Sequence, residues 1–441
     1  MSRIIALCDG TWCGRETGTK TNVYRLARII GIPIGDADSD KEHVLRTDTV
    51  RARYRHGVGL GSSFLDYLFN GITAQDLQDE CIAAYRFIVE NYTEGDEVWL
   101  FGLSRGAYTV RCVAGMINNC GIVRECATRE DTGLLCEEVY RMYRSRYDIN
   151  RPHAVQSEEF RRRRSWPLIG DEKDGEPRRR PPVRFMGLFD TVGSLGIPSF
   201  TGGVGLDWPE FYDNVVSSVV DQVCHFVSLH DRFYIFQPCL ARRKDPANMH
   251  GIYEEWLPGV HYDLGRQRFR FFRVGAGAFE SLLAHWSFAS KVIEPNEVLA
   301  DLALLKMLRS IRQSDANGSV VSASKLTDEM ENLQHALTAP YPEVGDGDVY
   351  AKVVEYGPFG GLIWPAVKWA FSRANAVWEL LVALRDRFIP SDGANVYRFQ
   401  ECDWTVSPTK PVAKIGAVTE HRYPSKTFQR WDLRLGERSE N

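Results

Sequence analysis

The sequence predicts an α/β fold: a mostly parallel sheet flanked by helices, with a helical insertion and a mostly helical C-terminal part. Three observations carry this expectation. Apolar runs that suit buried strands, among them Ile4 to Cys8, Val98 to Phe101 and Val183 to Phe189, are separated by segments whose apolar residues recur at helical spacing. The run Val98-Trp99-Leu100-Phe101 enters Gly102-Leu103-Ser104-Arg105-Gly106 and leaves it into another helix-spaced segment without a linker. A helix-patterned stretch also leads into that strand through Glu94-Gly95-Asp96, which is the order of a parallel crossover.

The composition sets outer bounds. The 441 residues suffice for one large α/β domain with insertions or for two domains. Apolar residues make up 44% and charged residues 25%, as in ordinary globular proteins, and 54 basic against 58 acidic side chains leave a net charge of −4, which does not favour nucleic acid as a partner. The ten cysteines form no Cys-x-x-Cys pair, a reduced usage that suits neither a disulfide scaffold nor a zinc site. The apolar run at the N-terminus meets Asp9 too soon for a signal peptide, and the nearest approach to a membrane span, Gly360 to Phe371, is interrupted by Pro365 and Lys368. A cytoplasmic protein is the resulting expectation.

Taken in order, the first strand ends in Asp9-Gly10-Thr11-Trp12, a turn of the kind where α/β enzymes place chemistry. Thr21 to Ile30 carries Val23, Leu26, Ala27 and Ile30 on one helix face. Val44 to Tyr54 alternates polar and apolar residues and reads as a second strand, and the glycine-rich stretch from His56 to Gly61 after it lacks the Gly-Lys-Ser/Thr ending of a nucleotide loop. Leu77, Cys81, Ala84 and Ile88 mark the next helix, and Ala107, Val110, Ala114 and Ile117 the helix after Ser104. Residues 134–165 read as a charged helix pair. An exposed basic insertion at about 151–182 holds nine basic against six acidic residues; it reads as a solvated surface, the alternative being contact with anionic lipid head groups at a membrane surface. Beyond residue 280 the chain turns mostly helical, with Val298, Leu302 and Leu305 on one face and Val377, Leu380, Leu381, Leu384 and Phe388 on another. The expected division is a catalytic domain over 1–290 and a helical extension over 291–441, a lid or cap, in which Gly360 to Phe371 is a core segment or a lipid-facing one.

The five residues Gly102 to Gly106 have the layout of a nucleophile elbow. A serine on a sharp strand-to-helix turn needs neighbours without side chains two residues either way, and the turn sets the serine at the positive end of the helix, where N–H groups stabilise an oxyanion. Val183 to Phe189 then ends in Asp190-Thr191-Val192-Gly193, and Glu255 to Val260 ends in His261. Ser104, Asp190 and His261 thus follow the chain order of an α/β-hydrolase triad: nucleophile, acid that fixes the imidazole tautomer, and base. Arg105 and the Gly10-Thr11 turn are the expected oxyanion donors. His230 is the strongest rival base, ahead of His225, His285 and His56, and Asp231 and Asp263 are the alternative acids. A phosphatase reading of the Asp9 turn fails because Leu7 occupies the position where an aspartyl nucleophile belongs, and a patatin-like lipase would need Asp-Gly-Gly where Asp190-Thr191-Val192 stands.

Cys8-Asp9-Gly10-Thr11-Trp12, Thr21 to Leu26, Gly57-Val58-Gly59, Gly95 to Val98, Phe101 to Tyr108, Phe189 to Gly193 and Leu257 to His261, taken together and in this order, resemble the catalytic domain of type VI secretion phospholipase effectors. The resemblance runs from residue 3 to about 290. It implies an α/β-hydrolase fold, ester cleavage by Ser104, Asp190 and His261, a phospholipid substrate and no metal or other cofactor. The sequence departs from the family after His261, where Tyr262-Asp263-Leu264-Gly265-Arg266-Gln267 replaces Ser-Asp-Val-Gly-Gly-Gly. The functional expectation is a serine ester hydrolase acting through an acyl-enzyme on a lipid or phospholipid ester; the alternative is a binding or scaffold protein on a hydrolase fold.

Overall fold

The computed structural model describes residues 1–10, 20–35, 42–57, 74–145, 147–167, 181–192, 215–228, 239–241, 251–257, 260–270, 292–293, 295–315 and 317–338. Its centre is a seven-stranded sheet in the order β2-β3-β1-β4-β5-β6-β7. The strands are β1 (Arg3–Cys8), β2 (His43–Arg46), β3 (Val50–Arg55), β4 (Glu97–Leu103), β5 (Val183–Phe189), β6 (Val220–Ser228) and β7 (Ile252–Leu257). All neighbours are parallel except β2 and β3. A small antiparallel pair, β8 (Phe269–Arg270) with β9 (Val292–Ile293), lies outside this sheet.

A parallel sheet covered on both faces needs strands that are apolar at almost every position. In β4 the consequence is literal: Val98 and Leu100 face one core, and Trp99, Phe101 and Leu103 the other. The first core is closed by α2 (Ala74–Val89), α3 (Arg105–Cys120) and α4 (Arg129–Tyr143), through buried side chains that include Cys81, Ala84, Ile88, Ala107, Val110, Ala114 and Ile117. These are the helix faces read from the spacing. The second core is closed by α1 (Asn22–Ile30), α7 (Glu297–Ser314) and α8 (Ala323–Thr338). Helices α7 and α8, assigned by sequence to a C-terminal extension, are thus the second layer of this core. Within α7 the inward stripe is Leu304, Leu305, Met307, Leu308 and Ile311, with Leu302 only half-buried.

Two local differences have physical causes. The single strand expected from Val44 to Tyr54 is an antiparallel hairpin, because Thr47 folds the chain back: its N–H donates to Val50 O at 2.8 Å and its Oγ1 accepts from Val50 N at 2.9 Å. The charged helix pair expected over 134–165 is α4 and a short α5 (Val155–Arg164), joined through a single 3-10 turn at Asp148–Asn150. Helix α5 buries only Ser157, and its Arg162 and Arg163 stand in solvent, paired with Glu159. The rest of the basic insertion (168–180), the loop residues 58–61, the segment Gly360 to Phe371 and the helical face from Val377 lie outside the described residues. Among the described residues no helix is long and apolar enough to cross a membrane.

Packing between the central strands is tight. A Cβ at Gly187 of β5 would lie 2.6 Å from the Phe101 ring and 2.8 Å from Met307 Sδ, so the Phe101 ring occupies the space beside Gly187. Phe101 also meets the Phe185 ring at 5.7 Å between centroids. Replacing Phe101 with Ala is expected to cost about 3–5 kcal/mol by leaving a cavity at this contact, measured as a lower urea midpoint at unchanged m-value.

Candidate active site

The elbow follows from β4 and α3 meeting without a linker. Ser104 closes β4 and precedes α3 with φ 57° and ψ −121°, a backbone conformation that costs a non-glycine residue about 1–3 kcal/mol. Both flanking glycines are sterically required. A Cβ on Gly102 would come within 2.4 Å of Ala107 N, and one on Gly106 within 2.1 Å of Cys8 O and 2.6 Å of Asp9 O. Helix α3 is therefore pressed onto the carboxyl end of β1. Ser104 is further tied to β5 by its N–H, which donates to Phe189 O at 2.9 Å, and to α3 by its carbonyl, which accepts from Tyr108 N at 3.1 Å.

That bond to Phe189 sets Asp190, the next residue, beside the serine. Leu103 and Phe189 are register partners, so Ser104 and Asp190 leave adjacent strands side by side. Asp190 is fully buried at φ 42°, with its N–H donating to Phe226 O at 2.7 Å. Its carboxylate accepts from Ser228 N at 2.8 Å, from Ser228 Oγ at 2.7 Å and from His261 Nδ1 at 2.7 Å. The carboxylate holds the proton of His261 on Nδ1 and leaves Nε2 as the basic nitrogen. Asp190 and His261 are thus brought into direct contact across 71 residues of chain.

His261 begins the short helix α6 (His261–Gly265), which follows β7 at the sheet edge. To reach Asp190 the segment must cross β6, and three contacts hold it there. A Cβ at Gly265 would lie 2.7 Å from Leu103, so α6 rests on the residue before Ser104. Asn22 Nδ2 of α1 donates to Leu264 O and to Ala300 O, each at 2.8 Å. Asp263 accepts from Val260 N at 3.0 Å and from Asn296 N at 2.8 Å. Asp263, an alternative acid by sequence, therefore spends both oxygens on backbone amides that fix the histidine's turn. Arg266, where the family pattern has glycine, takes φ 52° and is anchored by Lys20 O at 2.9 Å and Glu297 Oε1 at 2.7 Å.

The other candidates separate on geometry. His225 is buried in mid β6 against Glu254, and His56 bonds Tyr54 OH at 3.2 Å. His230, His285 and Asp231 lie outside the described residues, as does Thr11. Asp9 is committed to hydrogen bonds: it accepts from Gly10 N at 2.8 Å, Thr21 Oγ1 at 2.6 Å and Tyr54 OH at 2.7 Å. The Gly10 N–H is thereby turned to Asp9. Arg105 opens α3, where the first-turn amides have no partner within the helix. Ser228 is the residue that sequence reading missed, its one available signal being a polar residue that ends an apolar strand, and Asp263, a rival acid by sequence, holds the turn of His261. Among the described residues no group of three His, Cys, Asp or Glu side chains is arranged to hold a metal ion.

Residues 2–308 match the protein family described as the type VI secretion system phospholipase effector Tle1-like catalytic domain. The chain belongs to this family. A curated relative, the uncharacterised protein YEL023C of Saccharomyces cerevisiae, is 30% identical over 175 residues, which are 38% of this chain and 22% of the yeast protein; the match spans about a fifth of that relative's length. Among solved structures, a Tle1 effector bound to the VgrG spike of a type VI secretion system aligns at 14% identity and TM-score 0.36, over 76% of this chain and 79% of that one. An uncharacterised protein from Pseudomonas aeruginosa aligns at 16% identity and TM-score 0.33, over 77% and 51% of the two chains.

Gly106→Ala places a methyl group against the carbonyls of Cys8, the last residue of β1, and of Asp9, which follows it. It is expected to destabilise the fold by about 1–3 kcal/mol or more, read by urea denaturation, with Ser104-dependent reactivity lost even in the fraction that folds.

Proposed function

We propose that the protein is a serine ester hydrolase that works through an acyl-enzyme on the acyl ester of a lipid or phospholipid. The observation that carries the reading is the Asp190–His261 hydrogen bond of 2.7 Å, formed at the strand end beside a serine held in an elbow. In this mechanism Ser104 Oγ attacks the ester carbonyl while His261 Nε2 takes its proton. Asp190 stays ionised, supported by Ser228, and stabilises the imidazolium through Nδ1. Collapse of the tetrahedral intermediate expels the alcohol, which receives the proton from Nε2. Water, deprotonated by the same nitrogen, then releases the carboxylic acid and restores the serine.

The oxyanion forms at the positive end of α3, and its first donor is the Arg105 N–H. The second comes from the Gly10-Thr11 turn. Because the Gly10 N–H is engaged by Asp9, Thr11 is the member of that pair left to donate in this proposal. The lipid part of the reading is supported by membership of a phospholipase-effector family. Action within the cytoplasm and contact with a membrane surface belong to the same proposal.

Ser104→Ala is expected to lower hydrolysis of p-nitrophenyl butyrate by at least about 10³-fold with an unchanged melting temperature, and to abolish labelling by a fluorophosphonate. A wild-type serine that fails to react with the fluorophosphonate would mark a binding protein on a hydrolase fold and sink the proposal. For the substrate class, wild type but not Ser104→Ala should release fatty acid from phosphatidylglycerol vesicles. Turnover confined to short soluble esters would remove lipid from the reading.

A further inference from the structure

A second buried histidine–carboxylate pair lies directly behind the acid of the site. His225, on β6, is fully buried, with Nδ1 3.1 Å from Glu254 Oε2 on β7. Its other ring nitrogen, Nε2, meets the backbone N of Thr191 at 3.2 Å. Thr191 follows Asp190 in the chain. Glu254 Oε2 also accepts from Ala241 N at 2.7 Å. A backbone N–H only donates, so Nε2 of His225 must accept and carries no proton. The ring proton therefore sits on Nδ1 and is donated to Glu254.

We infer that His225, as the neutral Nδ1–H tautomer relayed from Glu254, is a positioning residue that fixes the Asp190 turn by accepting the Thr191 N–H. This rests on the reading of Asp190 as the acid partner of His261. The turn requires such a holder. Asp190 has φ 42°, a left-handed conformation that aspartate adopts at a cost, and the orientation of the peptide that follows it is set by where the Thr191 N–H points. In a buried setting that N–H has either the imidazole or a desolvated vacancy to face, so loss of the acceptor favours rotation of the peptide and displacement of the carboxylate. Strand β6 thereby holds Asp190 at three places: Phe226 O on its amide, Ser228 on its carboxylate and His225 on the following amide. The carboxylate is stretched between this frame and His261, so a shift in the turn is a shift in the base.

The test separates the two ring nitrogens. In His225→Gln the amide oxygen reaches the place of Nε2 and accepts from Thr191. In His225→Asn the shorter amide reaches only the place of Nδ1, keeps Glu254 and leaves Thr191 without an acceptor. With p-nitrophenyl butyrate, Asn is expected to lower kcat about 10²-fold at near-constant KM, whereas Gln stays within about tenfold of wild type. Equal losses in the two variants would overturn the proposal. Two measurements are independent of turnover. Protein labelled with ¹⁵N-histidine should show His225 as the Nδ1–H tautomer at neutral pH; a proton on Nε2 would refute the assignment even if neither variant folds. The low-field proton of the His261–Asp190 hydrogen bond should persist in wild type and Gln and be lost in Asn; its survival in folded Asn would also overturn the role. If wild type shows no Ser104-dependent hydrolysis, the proposed function fails, and the two spectra still decide the positioning role.

Discussion

The approach of α3 to the end of β1 is the constraint on which the rest of the site depends. Gly106 touches the carbonyls of Cys8 and Asp9 at distances that leave no room for a side chain, and Gly102 does the same against the amide of Ala107. Only this closeness turns the chain sharply enough to lift Ser104 out of the strand line into a strained conformation. The strain is small beside what holds it. Helix α3 buries Ala107, Val110, Val113, Met116 and Ile117 against β1 and β4, and each large apolar side chain removed from water contributes about 1.5–3 kcal/mol. Packing of the helix outweighs the cost at its first residue severalfold.

His261 reaches Asp190 by a different kind of constraint. Serine and aspartate sit on neighbouring strands, so ordinary sheet register makes them adjacent. The histidine follows β7, two strands from β5, and must be carried back across β6. Polar contacts do this: Asp263 gathers two amides, Asn22 holds α6 to α1 and α7, and Arg266 ties the end of the turn to Lys20 and Glu297. Where the family pattern uses glycine, this chain uses an arginine in a left-handed conformation and offsets the strain with two hydrogen bonds.

The basic helix α5 acts elsewhere. Its Arg161 bonds the carbonyl of Asn119, next to the last residue of α3. The fifteen residues from Ser104 to Asn119, at about 1.5 Å each, set this point about 22 Å from Ser104. The Debye length at physiological salt is about 8 Å, so the arginines of α5 exert little pull on a charged head group at the elbow. The described electrostatics of the site come instead from oriented amides and from the buried carboxylates of Asp9, Asp190, Glu254 and Asp263.

What the sequence by itself determined is what is local: strand and helix type from period, the elbow from glycine spacing, and the order of Ser104, Asp190 and His261 from residues that end apolar runs. The parallel sheet follows from the same pattern, since strands apolar at every position must be covered on both faces. Tertiary structure decided what depends on partners remote in the chain. It turned one expected strand into a hairpin through the hydroxyl of Thr47, and it drew α7 into the core against β5 and β6 and α8 into it against α7 and α1. It also distinguished Asp190 from Asp263. Both are buried aspartates beside turns, identical in residue type and similar in setting, and only the fold gives one a histidine ring and the other two backbone amides, because hydrogen-bond direction is fixed in space and leaves no trace in the order of residues.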